Sequence, residues 1–241
     1  MHYQSPIRSF FSTEKQYRLF SLLCLTTLLD LSFVGFRMVY TGFDISALDS
    51  MQAIAHTRGT TYLFLAWNLF LAWIPYLVAV SLEKIPANKI LAVPALLVWL
   101  VFFPNAPYLV TDLLHVHHRH GVPLWYDVVM LFSFAWTGLL LGYLSLIEVQ
   151  HFLEKRLGKQ SAGKLVWLAI GLCAFGVYLG RYQRWNTWDL LLNPYQLLWD
   201  AAAVLLHPTA YLGTLGLAVV MAGILGVGYW TVKTLVGDRE G

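Results

Sequence analysis

Tyr108, Asp112, His115 and Arg119 succeed one another at helical spacing, three or four residues apart. On a helix turning about 100° per residue they fall within an arc of about 60°. One face then carries a phenol, a carboxylate, an imidazole and a guanidinium, and Asn105 widens it slightly. A carboxylate close to an imidazole is suited to general acid–base chemistry. An amphipathic surface helix explains the same spacing equally well, because charges near helix ends reach for water. Asp127 supplies a further carboxylate nearby, so Asp112, His115 and Asp127 are the candidate catalytic groups.

Arg181 and Arg184 stand among Tyr182, Trp185 and Trp188. Two guanidiniums in an aromatic setting suit a bidentate anion site for phosphate or carboxylate. In the same stretch Asn186 and Asp189 have the spacing of a helix N-cap and its N3 partner, and Asn193-Pro194 that of a second helix start. The run His115-Val116-His117-His118-Arg119-His120 suggests metal ligation, but a His-rich polar loop accounts for it with less. The other histidines, His2, His56, His151 and His207, form no second box, although a mononuclear site on Asp112, His115 and another carboxylate stays open. Metal content and cofactor are therefore left unknown.

The elements that must hold these groups are membrane helices. Of 241 residues, 58% are apolar and 12% charged, and mean hydropathy is +0.61. Soluble domains are nearer 45–50% apolar and about 25% charged. Net charge is only +3 and no basic run marks a nucleic-acid partner. Six windows can cross the roughly 30 Å of hydrocarbon: approximately Tyr17 to Tyr40, Thr60 to Leu82, Asn88 to Leu114, Trp125 to Ile147, Lys164 to Gly180 and Pro208 to Thr234. The third is broken by Pro104-Asn105-Ala106-Pro107. Arg181 to His207 is apolar yet charged, and is expected to be interfacial or re-entrant. The expected fold is an all-α polytopic membrane helix bundle, one integral membrane domain over residues 1–241.

Eleven of the sixteen Lys and Arg fall on one side if both termini are cytoplasmic, as the positive-inside bias requires. Asn68, Asn105, Asp112, His115, Asp127, Arg181 and Arg184 then lie in or beyond the outer leaflet. The inner halves of spans three, five and six carry almost nothing polar. Asp30 is the exception near mid-span, where a carboxylate costs about 2.5–3.5 kcal/mol and needs a partner or a role. Arg37, two turns on, is its nearest candidate partner. Asn68 suits an interhelical hydrogen bond, and Glu148 an ordinary interfacial charge.

Four words resemble one family. They are Trp67-Asn68-Leu69-Phe70-Leu71-Ala72; Phe103-Pro104-Asn105-Ala106-Pro107-Tyr108 with Thr111-Asp112-Leu113-Leu114-His115; Trp125-Tyr126-Asp127; and Gly180-Arg181 through Arg184-Trp185-Asn186-Thr187-Trp188-Asp189. Together they are similar to the bacterial membrane family catalogued as domain of unknown function 1361, over about residues 60–206. Thr187 stands where that family more often has Ser. The resemblance implies a bacterial multi-pass protein and places Asn68, Asn105, Asp112, His115, Asp127, Arg181, Arg184, Asn186 and Asp189 on family motif positions. It leaves out His117, His118 and His120. With Tyr108, the candidate substrate-binding set is Asn68, Asn105, Tyr108, Arg181, Arg184, Asn186 and Asp189.

Three functions fit. The first is a membrane enzyme acting on a lipid or lipid-linked anionic substrate at the non-cytoplasmic face of a bacterial inner membrane. The second is a small-solute transporter, favoured by the broken helix and Asp30 but not by the apolar inner halves. The third is a non-catalytic accessory subunit that docks a protein partner through Trp185, Trp188 and Trp199. Membrane lipids are the expected partners in each case.

Overall fold

The computed structural model describes residues 8–41, 62–85, 89–116 and 122–237. Among them the elements are all helical: α1 (Glu14–Tyr40), α2 (Leu63–Ser81), α3 (Lys89–Phe102), α4 (Asn105–Thr111), α5 (Leu124–Leu157), α6 (Lys159–Tyr182), α7 (Asp189–Leu192), α8 (Pro194–Leu206) and α9 (Leu212–Val236). Six helical stretches are long and apolar enough to cross a membrane, α3 and α4 counting as one from Leu91 to His115. The architecture is an all-α polytopic bundle. The His-rich positions 117, 118 and 120, with Arg119, lie outside the described residues.

α5 is the axis of the bundle and packs against α1, α2, α4 and α6, while α9 closes the outside against α6. At 34 residues it is about 50 Å long, so it runs some ten residues past the expected end of its span. Glu148 is consequently buried instead of interfacial, which corrects the sequence reading. Its Oε2 accepts from Gln16 Nε2 at 2.8 Å. Gln16 also closes the capping box that starts α1: its N–H donates to Thr13 Oγ1 at 3.1 Å while its Oε1 accepts from the Thr13 N–H. One side chain thus both starts the first helix and ties it to the fifth. Gly158, at φ 81°, turns the chain from α5 directly into α6.

The third span breaks where Pro104 has no N–H to continue the ladder. Asn105 Nδ2 donates to the Phe102 carbonyl at 2.9 Å, satisfying an acceptor that the break leaves without a backbone donor. Glycines let this kinked segment sit close to its neighbours. A Cβ at Gly176 would meet Pro104 Cγ at 2.7 Å, and one at Gly138 would meet Leu109 Cδ1 at 2.8 Å. A Cβ at Gly180 would crowd the Tyr108 ring at 3.2 Å, while one at Gly142 would reach Ala106 in ordinary contact at 3.5 Å. Pairs of glycines four residues apart, one pair on α5 and one on α6, clamp α4 between them. Small residues at that spacing are what membrane helices use for close approach.

α7 and α8 form the segment before the last span. The 13 residues of α8 rise about 20 Å, too short to cross the hydrocarbon. Leu191, Leu192, Tyr195, Leu198 and Trp199 are all well exposed. The apolar surface with an aromatic share suits the interface expected of this stretch.

Candidate functional site

Past Thr111 the helix tightens into a 3-10 turn over Asp112–His115. In that geometry side chains three apart eclipse one another, so Asp112 and His115 stack more closely than an α-helix would place them. His115 Nδ1 lies 3.7 Å from Asp112 Oδ1. The carboxylate is 1% exposed and the imidazole side chain 38%, so the acid is fixed inside while the ring reaches the surface of the site. Asn68, from α2, donates through Nδ2 to Asp112 Oδ2 at 3.1 Å. Arg181, from the last turn of α6, brings Nη1 within 3.7 Å of Asp112 Oδ1. Three elements therefore converge on one carboxylate, and a buried charge needs such company.

These groups line a cavity of about 490 Å³. Its polar wall is Asn68, Asn105, Tyr108, Asp112, His115, Arg181, Asn186 and Thr187. The apolar wall includes Leu71 of α2, Leu100 and Val101 of α3, and Leu197 of α8. Aromatic rings surround it: Phe64 lies 5.2 Å from the His115 ring, and Trp67 pairs with Trp188 at 5.8 Å. The stretch after α6 folds over the cavity because Asn105 Nδ2 donates to Thr187 Oγ1 at 3.0 Å.

Residues 67–224 match the sequence profile of the family described as "Protein of unknown function (DUF1361)". The chain belongs to that family. No curated protein and no solved structure matches it. The DUF1361 match starts seven residues later and ends eighteen residues later than the expected 60–206. It contains every cavity residue except Phe64, and it leaves out α1.

Three residues that the sequence grouped with this site lie elsewhere. Asp127 does not line the cavity. It makes a bidentate ion pair with Arg37, Nε to Oδ1 at 2.7 Å and Nη2 to Oδ2 at 3.2 Å, and both side chains are almost fully buried. The Tyr62 hydroxyl donates to the same carboxylate at 3.4 Å, and the guanidinium lies 4.5 Å from the Tyr62 ring centre. That pairing also corrects the expected Asp30–Arg37 link, since Asp30 accepts instead from Ser133 Oγ at 2.5 Å. Asp189 Oδ2 accepts from the Asn186 N–H at 2.7 Å and closes the turn before α7, whose N-cap is Trp188 instead of the expected Asn186. Arg184 is exposed, outside the cavity, with φ at 60° where the chain turns off α6. The anion site expected of two arginines therefore has one.

Trp185 is only part-exposed, because its indole donates to Asp200 Oδ2 at 3.2 Å. Spacing alone did not reveal the clamp at Gly138, Gly142, Gly176 and Gly180, although their four-residue spacing was the available signal.

Proposed function

We propose that the chain is a membrane enzyme acting on a lipid or lipid-linked anionic substrate, with its cavity at the non-cytoplasmic face of a bacterial inner membrane and both termini in the cytoplasm. The observation that carries the reading is the convergence of Asn68, His115 and Arg181 on the buried Asp112 carboxylate at the wall of a half-apolar cavity. Nδ1 of His115 is buried 3.7 Å from the Asp112 carboxylate, so Nε2 is the nitrogen left to take a proton from a substrate hydroxyl or water. His115 takes that proton as the new bond to a phosphoryl or acyl centre forms, then returns it to the departing oxygen. Arg181 holds the anionic headgroup, and Asn68 keeps the Asp112 carboxylate in place. Tyr108 and Asn186 are the groups available to orient the headgroup, while Asn105, its amide engaged by Phe102 and Thr187, holds the cavity wall.

A transporter would need polar groups continued toward the opposite face. Leu69, Trp99 and Phe103, each next in sequence to a residue that lines the cavity, are buried and apolar, which favours a pocket. The enzyme reading is tested by purifying the parent, Asp112→Asn and His115→Ala proteins and following conversion of a bacterial lipid extract by mass spectrometry. Either substitution should lower turnover by about 10²-fold or more while the melting temperature holds. Full activity in both variants would end the reading, and solute flux in proteoliposomes that both variants lose would replace it with transport.

A further inference from the structure

The cavity wall holds one guanidinium, Arg181, and one carboxylate, Asp112, 3.7 Å apart, so the two fixed charges offset each other. Hydrogen bonding is then what discriminates between ligands. Asp112 Oδ2 takes the Asn68 amide, but Oδ1 has His115 Nδ1 and Arg181 Nη1 at 3.7 Å each, beyond hydrogen-bond distance. Among the described residues, the Arg181 guanidinium, the Tyr108 hydroxyl and the Asn186 side-chain amide make no hydrogen bond, and all three line the cavity. Unengaged donors and acceptors therefore share one wall. A hydroxyl both donates and accepts, so a ligand carrying several of them meets both kinds.

The rings on the same wall give the ligand a second property. Trp67 and Trp188 line the cavity with centroids 5.8 Å apart and planes at 42°, and Phe64 and Trp185 line it beside them. An aromatic belt explains rings on the outer surface, such as the well-exposed Trp125. It does not explain four that line a polar cavity. The face of an aromatic ring is its negative side, and the C–H groups of a hydroxylated ring are polarised to meet it. At about 490 Å³ the cavity has the size of a small-molecule pocket.

We infer that the group taken into the cavity is a sugar. Its hydroxyls meet Asp112 Oδ1, Tyr108, Arg181 and Asn186, and its C–H face rests on the Trp67–Trp188 pair. This names the headgroup of the substrate proposed above and rests on the enzyme reading for turnover, but not for binding. A glycolipid headgroup and a free sugar offer the same chemistry, and binding separates them.

The test is binding to the full-length protein in a sugar-free zwitterionic detergent, read by native mass spectrometry. The probes are the dioleoylglycerol glycosides of glucose, galactose and N-acetylglucosamine, the three free sugars, dioleoylglycerol and dioleoyl phosphatidic acid. At least one glycoside should bind about tenfold tighter than both lipids that lack a sugar. A free sugar at least about tenfold weaker than its glycoside assigns the site to glycolipids, whereas equal affinity keeps the sugar and removes the lipid from the substrate. Tyr108→Phe deletes a hydroxyl that bonds nothing in the protein, and should weaken the preferred glycoside about fivefold without touching the fold. Trp188→Ala should weaken it about three- to tenfold. Trp125→Ala, outside the cavity, should leave it unchanged. If no glycoside binds tighter than phosphatidic acid, or if Tyr108→Phe binds like the parent, the inference is overturned. Sugar-selective binding with no turnover of any glycoside would sink the enzyme reading alone. Asp112-dependent turnover of lipids that carry no sugar, with no preference for glycosides, would sink the sugar alone.

Discussion

At the scale of single residues, two buried carboxylates divide the labour. Asp112 is held by an amide, an imidazole and a guanidinium at the edge of a cavity, whereas Asp127 is locked in a bidentate pair with Arg37 away from it. The two should therefore fail differently. Removing one partner of a buried pair strands the other charge and costs about 3–5 kcal/mol. Asp127→Ala should accordingly lower the melting temperature sharply, and the double variant Arg37→Met with Asp127→Leu should recover most of the loss. A melting curve for Asp127→Ala that matches the parent would show that the pair is not formed. The sequence singled out Asp112 and His115 by their helical spacing beside a break and Arg181 by its aromatic setting, and the structure brings the three together. It could not assign Asp127, because its partner lies ninety residues away, and no local periodicity reports a contact of that range. Glu148 was misread for the same reason, its partner Gln16 being 132 residues distant.

At the scale of elements, the broken third span is the device that builds the site. Pro104 interrupts the ladder, the 3-10 turn aligns Asp112 with His115, and the glycine pairs of α5 and α6 hold the segment in place. Gly138→Ala would push a methyl group against the Ala106 carbonyl and Leu109, at a cost of about 1–3 kcal/mol. Gly171→Ala, in α6 with open space around the Cβ position, should be neutral or stabilising by up to about 1 kcal/mol. Thermal unfolding of the two variants side by side checks this. Equal effects would mean that the clamp is not tight. The proline break was legible, as was a stretch before the last span whose helices are too short to cross. The 3-10 tightening was not, because nothing in Asp112-Leu113-Leu114-His115 distinguishes it from a continuing α-helix. Span limits came out within a few residues except at α5, whose inner end is amphipathic and continues past the apolar window.

At the scale of the whole molecule, the cavity side chains gather at one end of the bundle, while Gln16, Asp30 and Glu148 are buried elsewhere in it. The cavity takes contributions from α2, α3, α4, α6, α8 and the stretch that follows α6, so it exists only when the bundle is assembled. The most direct measurement is single-cysteine labelling in a Cys24→Ala/Cys173→Ala background, with a membrane-impermeant thiol reagent applied to each face of the cell membrane in turn. Tyr108→Cys and Arg181→Cys should react from the same face, the one remote from Lys164→Cys. Reaction of positions 108 and 181 from opposite faces would contradict the one-sided pocket and everything built on it.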